Sequence, residues 1–452
     1  MANSKGASQP SSESLRERDF HIVERLILAV AVVFAVWGAS TYSGGDTANS
    51  RLATVVGLAK YGTWYIDRPA DEEPIRFEQR TIDKVVVNGR ILSSKPPMLP
   101  LLMTAEYLVL NRTFGWDLDY EEDTHKIVRM MTMTLIGFSY VAAVVFFAKT
   151  IYLLVSDPLM RLLGVYCLAF CTQLWGYSTN INNHMPATGM LVVALYFALG
   201  LGSGKLTPRG WRFFVFGLTG GLVATLDMPA TIFVFLAGLY LLAKYPAKTL
   251  VWVGLGAAIP VGVHTGIMIA VTGSPLPVQM RPELYLSEAS YWRNPRGIDA
   301  LNEPKLTYLF HITFGRCGLF SLYPILFTGM VATLRALVRR KMPYRGYVLT
   351  GALGFFILTA YYVLRTSNYG GEAYGFRWFM VAMPVLLLMG TPVLATIRAR
   401  WKWYFVAAMI GISFYSAWEC SRTPWRSNQE WPCRFLGKCY GPVPREVDRT
   451  AK

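Results

Sequence analysis

The chain has 452 residues, of which 53% are hydrophobic, 14% aromatic and only 16% charged. Soluble domains carry about 25% charged residues, so a water-soluble globular fold is excluded. The formal net charge of +16 would direct a soluble chain toward nucleic acid. Here the Lys and Arg fall in short stretches between long apolar runs, as membrane insertion requires of cytoplasmic loops, and nucleic acid is set aside as a partner.

The N-terminal residues, "MANSKGASQPSSESLRERDF", are polar and Ser-rich, and 1–22 reads as a disordered cytoplasmic tail. Residues 26–45 carry no charge, enough to cross a hydrocarbon core of about 30 Å at about 1.5 Å per residue. The run reads as an uncleaved anchor over 23–43. Comparable runs follow at 127–148, 159–178, 184–202, 211–227, 229–244, 249–272, 317–338, 346–365, 377–397 and 403–419. The fold class is therefore an all-α polytopic membrane protein with about eleven transmembrane helices.

One further apolar piece, 96–115, is interrupted by prolines and Glu106. Four basic loops decide its place: Lys205, Arg209 and Arg212; Lys244 and Lys248; Arg335, Arg339, Arg340, Lys341 and Arg345; and Arg398, Arg400 and Lys402. If 96–115 does not cross, all four share the cytoplasmic side with the basic N-terminus. It is then a juxtamembrane helix at the outer interface. Residues 23–419 form one transmembrane module with two long outer loops, 43–126 and 273–316. A short outer tail, 420–452, follows. The expected location is the plasma (inner) membrane, with the N-terminus cytoplasmic.

Chemistry is then confined to the outer surface. Asp46 follows the first span in "SGGDTANSRLATVV". It is either the N-cap of a surface helix or a general base at the rim of a cavity. Lys95 precedes Pro96 and Pro97, and either snorkels or holds a lipid phosphate. Arg377 opens a late span after a Gly-rich loop, as an interfacial anchor or a second phosphate ligand; Arg316 is another candidate for the same anion. Asn183 and His184, at the corner "NINNHMP", and Glu372 and Tyr374, in "GGEAYGFR", are candidate substrate contacts. Tyr285, Tyr291, Trp292 and Arg293 suit acceptor contact.

The acidic stretch 117–123 is a solvated loop or a divalent-metal site. Cys167, Cys171 and Cys317 read as packing residues; Cys433 and Cys439 could pair if the tail is outside. "NRT" at 111–113 is a glycosylation sequon on an interfacial helix. The chain contains no Walker loop, dinucleotide fingerprint or HExxH.

Asp46, Gly62-Thr63-Trp64, Lys95-Pro96-Pro97-Met98 and the late Tyr374-Gly375-Phe376-Arg377 together resemble the polyprenyl-phosphate-dependent glycosyltransferases of the GT-C fold, in particular the branch of aminoarabinose transferases and protein O-mannosyltransferases. Thr47 stands where that family often has a second acid, and the segment from Trp64 to Lys95 is longer than usual. The resemblance implies an inverting transfer from a polyprenyl-phosphate sugar to an acceptor hydroxyl on a lipid, glycan or protein. Asp46 would be the base, and Lys95, Arg377 and Arg316 would bind the donor phosphate. Physical chemistry agrees: a phosphate leaving group needs cations around it, and the acceptor hydroxyl needs one base. The competing class is a transporter or flippase of a lipid-linked or polar solute, which normally carries ionisable residues inside its spans.

Overall fold

The computed structural model describes residues 12–425 except 70, 288–289, 296–298, 300, 302 and 367, together with 431–432. Cys433 and Cys439 lie outside the described residues. Each apolar run of the sequence becomes helix. Among the described residues, five helices are long and apolar enough to cross a bilayer: Asp19–Trp37, Glu121–Leu154, His184–Gly202, Pro246–Thr272 and Arg345–Arg365. Five shorter apolar helices accompany them, Pro158–Phe170, Gly210–Leu226, Met228–Lys244, Pro324–Val338 and Ala382–Leu394. The last run forms Arg400–Arg422, of 23 residues. These helices make the chain an integral, multi-pass membrane protein. Ala382–Leu394 is buried along almost its whole length and packs against Pro158–Phe170, Phe327–Val338 and Arg345–Arg365.

Three boundaries differ from the sequence reading. The first helix begins at Ser12, inside the segment expected to be a tail, and ends at Trp37 rather than 43. The chain then unwinds toward Gly44 and Gly45, whose φ of 75° and 109° only glycine adopts without strain. The run 159–178 is broken: Pro158–Phe170 stops, and Gln173–Tyr177 starts afresh with Thr172 Oγ1 accepting from the Leu174 amide.

The all-α expectation is also corrected. Lys84–Val87 pairs antiparallel with Arg90–Ser93 in a two-stranded hairpin. Its two-residue turn is Asn88-Gly89, with φ of 52° and 75°, the left-handed geometry that matches the twist of the strands. The inward Val85, Val87 and Leu92 pack with Met268, Val278 and Leu284 in a small apolar cluster apart from the main core. The hairpin thus rests against the Pro246–Thr272 helix and the first turns of the 273–316 segment.

Residues 96–115 form one helix, Met98–Phe114. It buries Met98, Leu99, Met103, Tyr107 and Leu110 and packs against the Asp46–Tyr61 helix. The 273–316 segment is a chain of short turns, Val278–Met280, Pro282–Tyr285 and Tyr291–Arg293, followed by the helix Lys305–Thr313.

A β-branched residue at Gly89 must adopt a left-handed backbone at a cost of about 1–2 kcal/mol. Gly89→Val is expected to lower the thermal midpoint in detergent, whereas Asn88→Gly leaves it nearly unchanged. Equal behaviour of the two variants would refute this turn.

Candidate functional site

The hairpin register sets the site. Lys84 is opposite Ser93, and the Ser94 amide donates to the Asp83 carbonyl at 3.0 Å. Asp83 and Lys95 therefore sit at the two open ends of the hairpin, and their side chains meet: Lys95 Nζ lies 2.8 Å from Asp83 Oδ1. Asp83 is 4% exposed. The Asp46–Tyr61 helix is tied to this end of the hairpin. Ser50 Oγ donates to the Asp83 carbonyl at 2.7 Å, and Asn49 Nδ2 donates to the Arg80 carbonyl at 3.0 Å. Thr81 Oγ1 donates to the Asp46 carbonyl at 2.7 Å.

Asp46 is not the N-cap. Gly45 holds that position, its carbonyl accepting from Ala48 and Asn49, and the Asp46 carboxylate instead accepts the Ile82 amide at 2.9 Å. One turn on, Arg51 is 1% exposed. Its Nη1 donates to the Thr47 carbonyl at 2.7 Å and its Nη2 to Asn183 Oδ1 at 2.6 Å. Asn183 passes the contact on by donating to the Leu226 carbonyl at 2.8 Å. His184 Nδ1 and Asp227 Oδ2 are 2.7 Å apart, both buried. The corner before His184–Gly202 and the end of Gly210–Leu226 are thereby locked together behind Arg51.

Arg377 joins from the other end of the chain, its guanidinium 5.1 Å from the centroid of the Trp425 ring. Asp83 bears electrostatically on Arg51, Lys95 and Arg377, and the three cations bear on one another. Burial pushes Arg51 down to about 10, opposed by Asp83 and reinforced by Arg377. Burial likewise lowers Lys95, against the pull of Asp83. Among the described residues, no carboxylate lies within ion-pair distance of Arg51 or Arg377. Arg51 Nε, Arg377 Nε and Trp425 Nε1 are buried donors without a hydrogen-bond partner. Two guanidiniums with unmet donors, in a place that disfavours their charge, are what an incoming anion satisfies.

The 273–316 segment covers the cleft. Gln279 Nε2 donates to the Ser94 carbonyl at 2.6 Å, and Trp292 Nε1 to the Ile82 carbonyl at 3.1 Å. Tyr291 Oη donates to Asp299 Oδ2 at 3.1 Å. Burial raises Asp299, and Asp83 and Asp46 add to the rise. Beside Lys95 a narrow groove, enclosing only about 20 Å³, runs along Trp64, Pro97, Pro100, Ile267, Met268 and Val271. It is apolar except at the Lys95 end and at Thr54 and Ser93.

The expected residues fall into three groups. Asp46, Lys95, Arg377, Asn183 and His184 converge. Arg316 lies in a neighbouring cluster, 4.9 Å from the Tyr369 ring, where Tyr369 donates to Glu303. Arg377 lies beside the next residue of the same loop, Gly370, where a Cβ would come within 3.3 Å of its Nε. Tyr374 is 0% exposed and donates to Glu419 Oε2 at 2.7 Å, while Glu372 is exposed. The acidic stretch is corrected as a metal candidate: Asp117 and Asp119 both pair with Lys60, and Asp123 with Lys126. Among the described residues no group of three His, Cys, Asp or Glu side chains is placed to hold a metal.

Sequence reasoning missed Arg51, Asp83 and Asp299, and gave Asp227 no role in the site. Asp83 was legible: counting outward from the turn signal Asn88-Gly89 sets 83 against 94, beside Lys95.

The fold and site define a polytopic helical membrane protein with a buried, cation-rich cleft at the mouth of an apolar groove. No family model matches the chain, and no curated protein matches it. Solved structures of an oligosaccharyltransferase from Archaeoglobus fulgidus are similar to it. One is the archaeal enzyme AglB in complex with an inhibitory peptide and a dolichol-phosphate, at 14% identity and a TM-score of 0.48 over 91% of this chain and 56% of that one. The apo form gives 14% and 0.48 over 91% and 57%. The form tethered to an acceptor peptide containing the NVT sequon gives 15% and 0.47 over 88% and 54%. The chain thus spans a little over half the length of the structures it matches.

Removing Asp83 leaves the Lys95 charge without its partner, which costs at most about 3 kcal/mol, since the Lys95 side chain is 20% exposed. Asp83→Asn is expected to raise hydrogen exchange across 84–93. Adding Lys95→Met is expected to restore most of the protection; a double variant no better protected than the single would refute the pair.

Proposed function

We propose that the chain is a membrane glycosyltransferase that moves a sugar from a polyprenyl-phosphate donor to an acceptor hydroxyl, with inversion. The observation that carries this reading is the buried Arg51 and the half-buried Arg377, each with an unmet Nε donor, beside Lys95 at the polar end of an apolar groove. A prenyl chain suits the groove, and its phosphate suits the cations. As the acceptor oxygen attacks the anomeric carbon, the bond from that carbon to the phosphate oxygen breaks and its electron pair leaves with the phosphate. Arg51, Arg377 and Lys95 stabilise that departing charge. The hydroxyl proton passes to Asp46, whose carboxylate is aimed by the Ile82 amide.

Asp83 has a different role in this reading. It holds Lys95 in place and offsets part of the cluster's positive charge before the donor arrives. Asn183 orients Arg51, and His184 with Asp227 supports Asn183. Arg316, against Tyr369, is a further cation that the same phosphate can meet.

Asp46→Asn is expected to abolish transfer while the purified protein still carries a polyprenyl-phosphate sugar in native mass spectrometry. An active variant would remove Asp46 as the base. Solute flux that continues unchanged, with no lipid-sugar bound, would support the transport class instead. Each hydrogen bond to a charged group contributes about 1.5–3 kcal/mol, so Arg51→Ala and Arg377→Ala are each expected to weaken donor binding about 10- to 150-fold.

The pH dependence follows from Lys95. Its folded pKa is lowered, so its proton leaves below the ordinary value of about 10.4. Donor affinity falls as pH rises through that lowered pKa, and loss of the Arg51 charge near about 10 lowers it as well. Titration of donor binding from neutral to alkaline pH checks the sign; affinity that rises over this range contradicts it.

A further inference from the structure

The 273–316 segment brings to the cleft a carboxylate that the reaction leaves unused. Trp292 Nε1 donates to the Ile82 carbonyl at 3.1 Å, and the Ile82 amide donates to Asp46 Oδ1 at 2.9 Å. The covering segment and the Asp46 carboxylate are thus fastened to one residue. Tyr291 sets its ring at 83° to the Trp292 indole, with 5.2 Å between centroids. Its Oη donates to Asp299 Oδ2 at 3.1 Å. Asp299 is half-buried. Among the described residues its other oxygen, Oδ1, has no hydrogen-bond partner and is not sealed in the packing. The charges that act on Asp299 are those of the cleft, and they come from three other elements. Asp46 is on the surface helix, Asp83 at the hairpin end and Arg377 ahead of the Ala382–Leu394 helix. Asp299 acts in turn on Arg377, yet no ion pair joins the two.

We propose that Asp299 binds the sugar of the donor, with Oδ1 accepting hydrogen bonds from ring hydroxyls while Arg51 and Arg377 hold the phosphate. The inference rests on the glycosyl-transfer reading and adds the group that recognises what is transferred. A donor sugar is joined to its phosphate through a single oxygen. A group that binds the sugar must therefore stand about a ring's width from the phosphate cations, near enough to feel them and too far to pair with them. Asp299 meets that condition at Arg377. An ionised carboxylate only accepts hydrogen bonds, so hydroxyls suit it and phosphate does not. Hydrogen bonds to a charged acceptor are roughly twice as strong as neutral ones. The other two carboxylates are already engaged, Asp83 with Lys95 and Asp46 with the Ile82 amide. Tyr291 fixes one oxygen of Asp299 and leaves the other for the ligand. Trp292 acts through them as a positioning residue, since it anchors the segment that carries both.

The test uses the full chain in nanodiscs with two ligands, undecaprenyl phosphate and the sugar-bearing lipid recovered from the Asp46→Asn protein. Affinities are read by native mass spectrometry. Asp299→Asn is expected to weaken the sugar-bearing lipid about tenfold and to leave undecaprenyl phosphate unchanged or bound slightly more tightly. Removing a negative charge favours a bare phosphate, so a loss confined to the sugar-bearing lipid arises at the sugar. Retained binding of the bare lipid also shows that the variant is folded. Tyr291→Phe, which removes the bond to Oδ2, is expected to give a smaller loss of the same kind, whereas Arg377→Ala weakens both lipids alike. If Asp299→Asn weakens both lipids equally, or neither, the proposal is overturned, and the second result leaves Asp299 to the acceptor or to the packing of its own segment. If no sugar-bearing lipid is recovered, the glycosyl-transfer reading itself fails and takes this inference with it.

Discussion

Three cations held close together with little solvent around them are the constraint on which this structure depends. Arg51, Lys95 and Arg377 come from a surface helix, a hairpin end and a late helix. Two unit charges about 4 Å apart at an effective dielectric constant of 20 repel by about 4 kcal/mol. Asp83 relieves part of that repulsion by pairing with Lys95. Burial is the main cause of the lowered values of Arg51 and Lys95, with the neighbouring cations adding to it and Asp83 opposing it. A site kept short of negative charge in this way favours an anion, and more so an anion that gains charge as a bond breaks.

The scaffold around the cations can be understood as the means of holding them there. Gly44 and Gly45 turn the chain out of the first span so that Asp46 and Arg51 lie on one short helix. The hairpin brings 83 and 95 together across a two-residue turn. The Asn183–Leu226 and His184–Asp227 contacts fasten two helix ends behind Arg51, and the 273–316 turns close over the cleft through Ile82 and Ser94. All but the His184–Asp227 contact use backbone carbonyls that would otherwise be left unpaired near a helix or strand end.

Much of this was legible in the sequence. The apolar runs gave the helices because a run of about 20 apolar residues has few other stable states in a bilayer. Asp46, Lys95 and Arg377 stood out because a charge beside glycines or prolines at a span end is conspicuous. Arg51 did not, because inside "NSRLATVV" it reads as the polar face of an amphipathic helix, and only its burial against Asn183 reveals otherwise. The hairpin was overlooked because the segment was taken only as part of the long outer loop 43–126; "KVVVNGRILS" carries a strong turn signal that was available. Asp299 and Asp227 owe their places to long-range packing. Tyr374 is the opposite case: its motif is local, but its side chain turns inward to Glu419.

The account's central claim is that Arg51 and Arg377 together receive the donor's phosphate. A structure determined by electron cryo-microscopy with polyprenyl phosphate bound tests it most directly. The account predicts phosphate density within hydrogen-bonding distance of both guanidiniums, with the prenyl chain along Trp64, Pro97 and Met268. Phosphate density at Arg316 or on the basic loops, with the Arg51–Arg377 cleft unchanged, would contradict it.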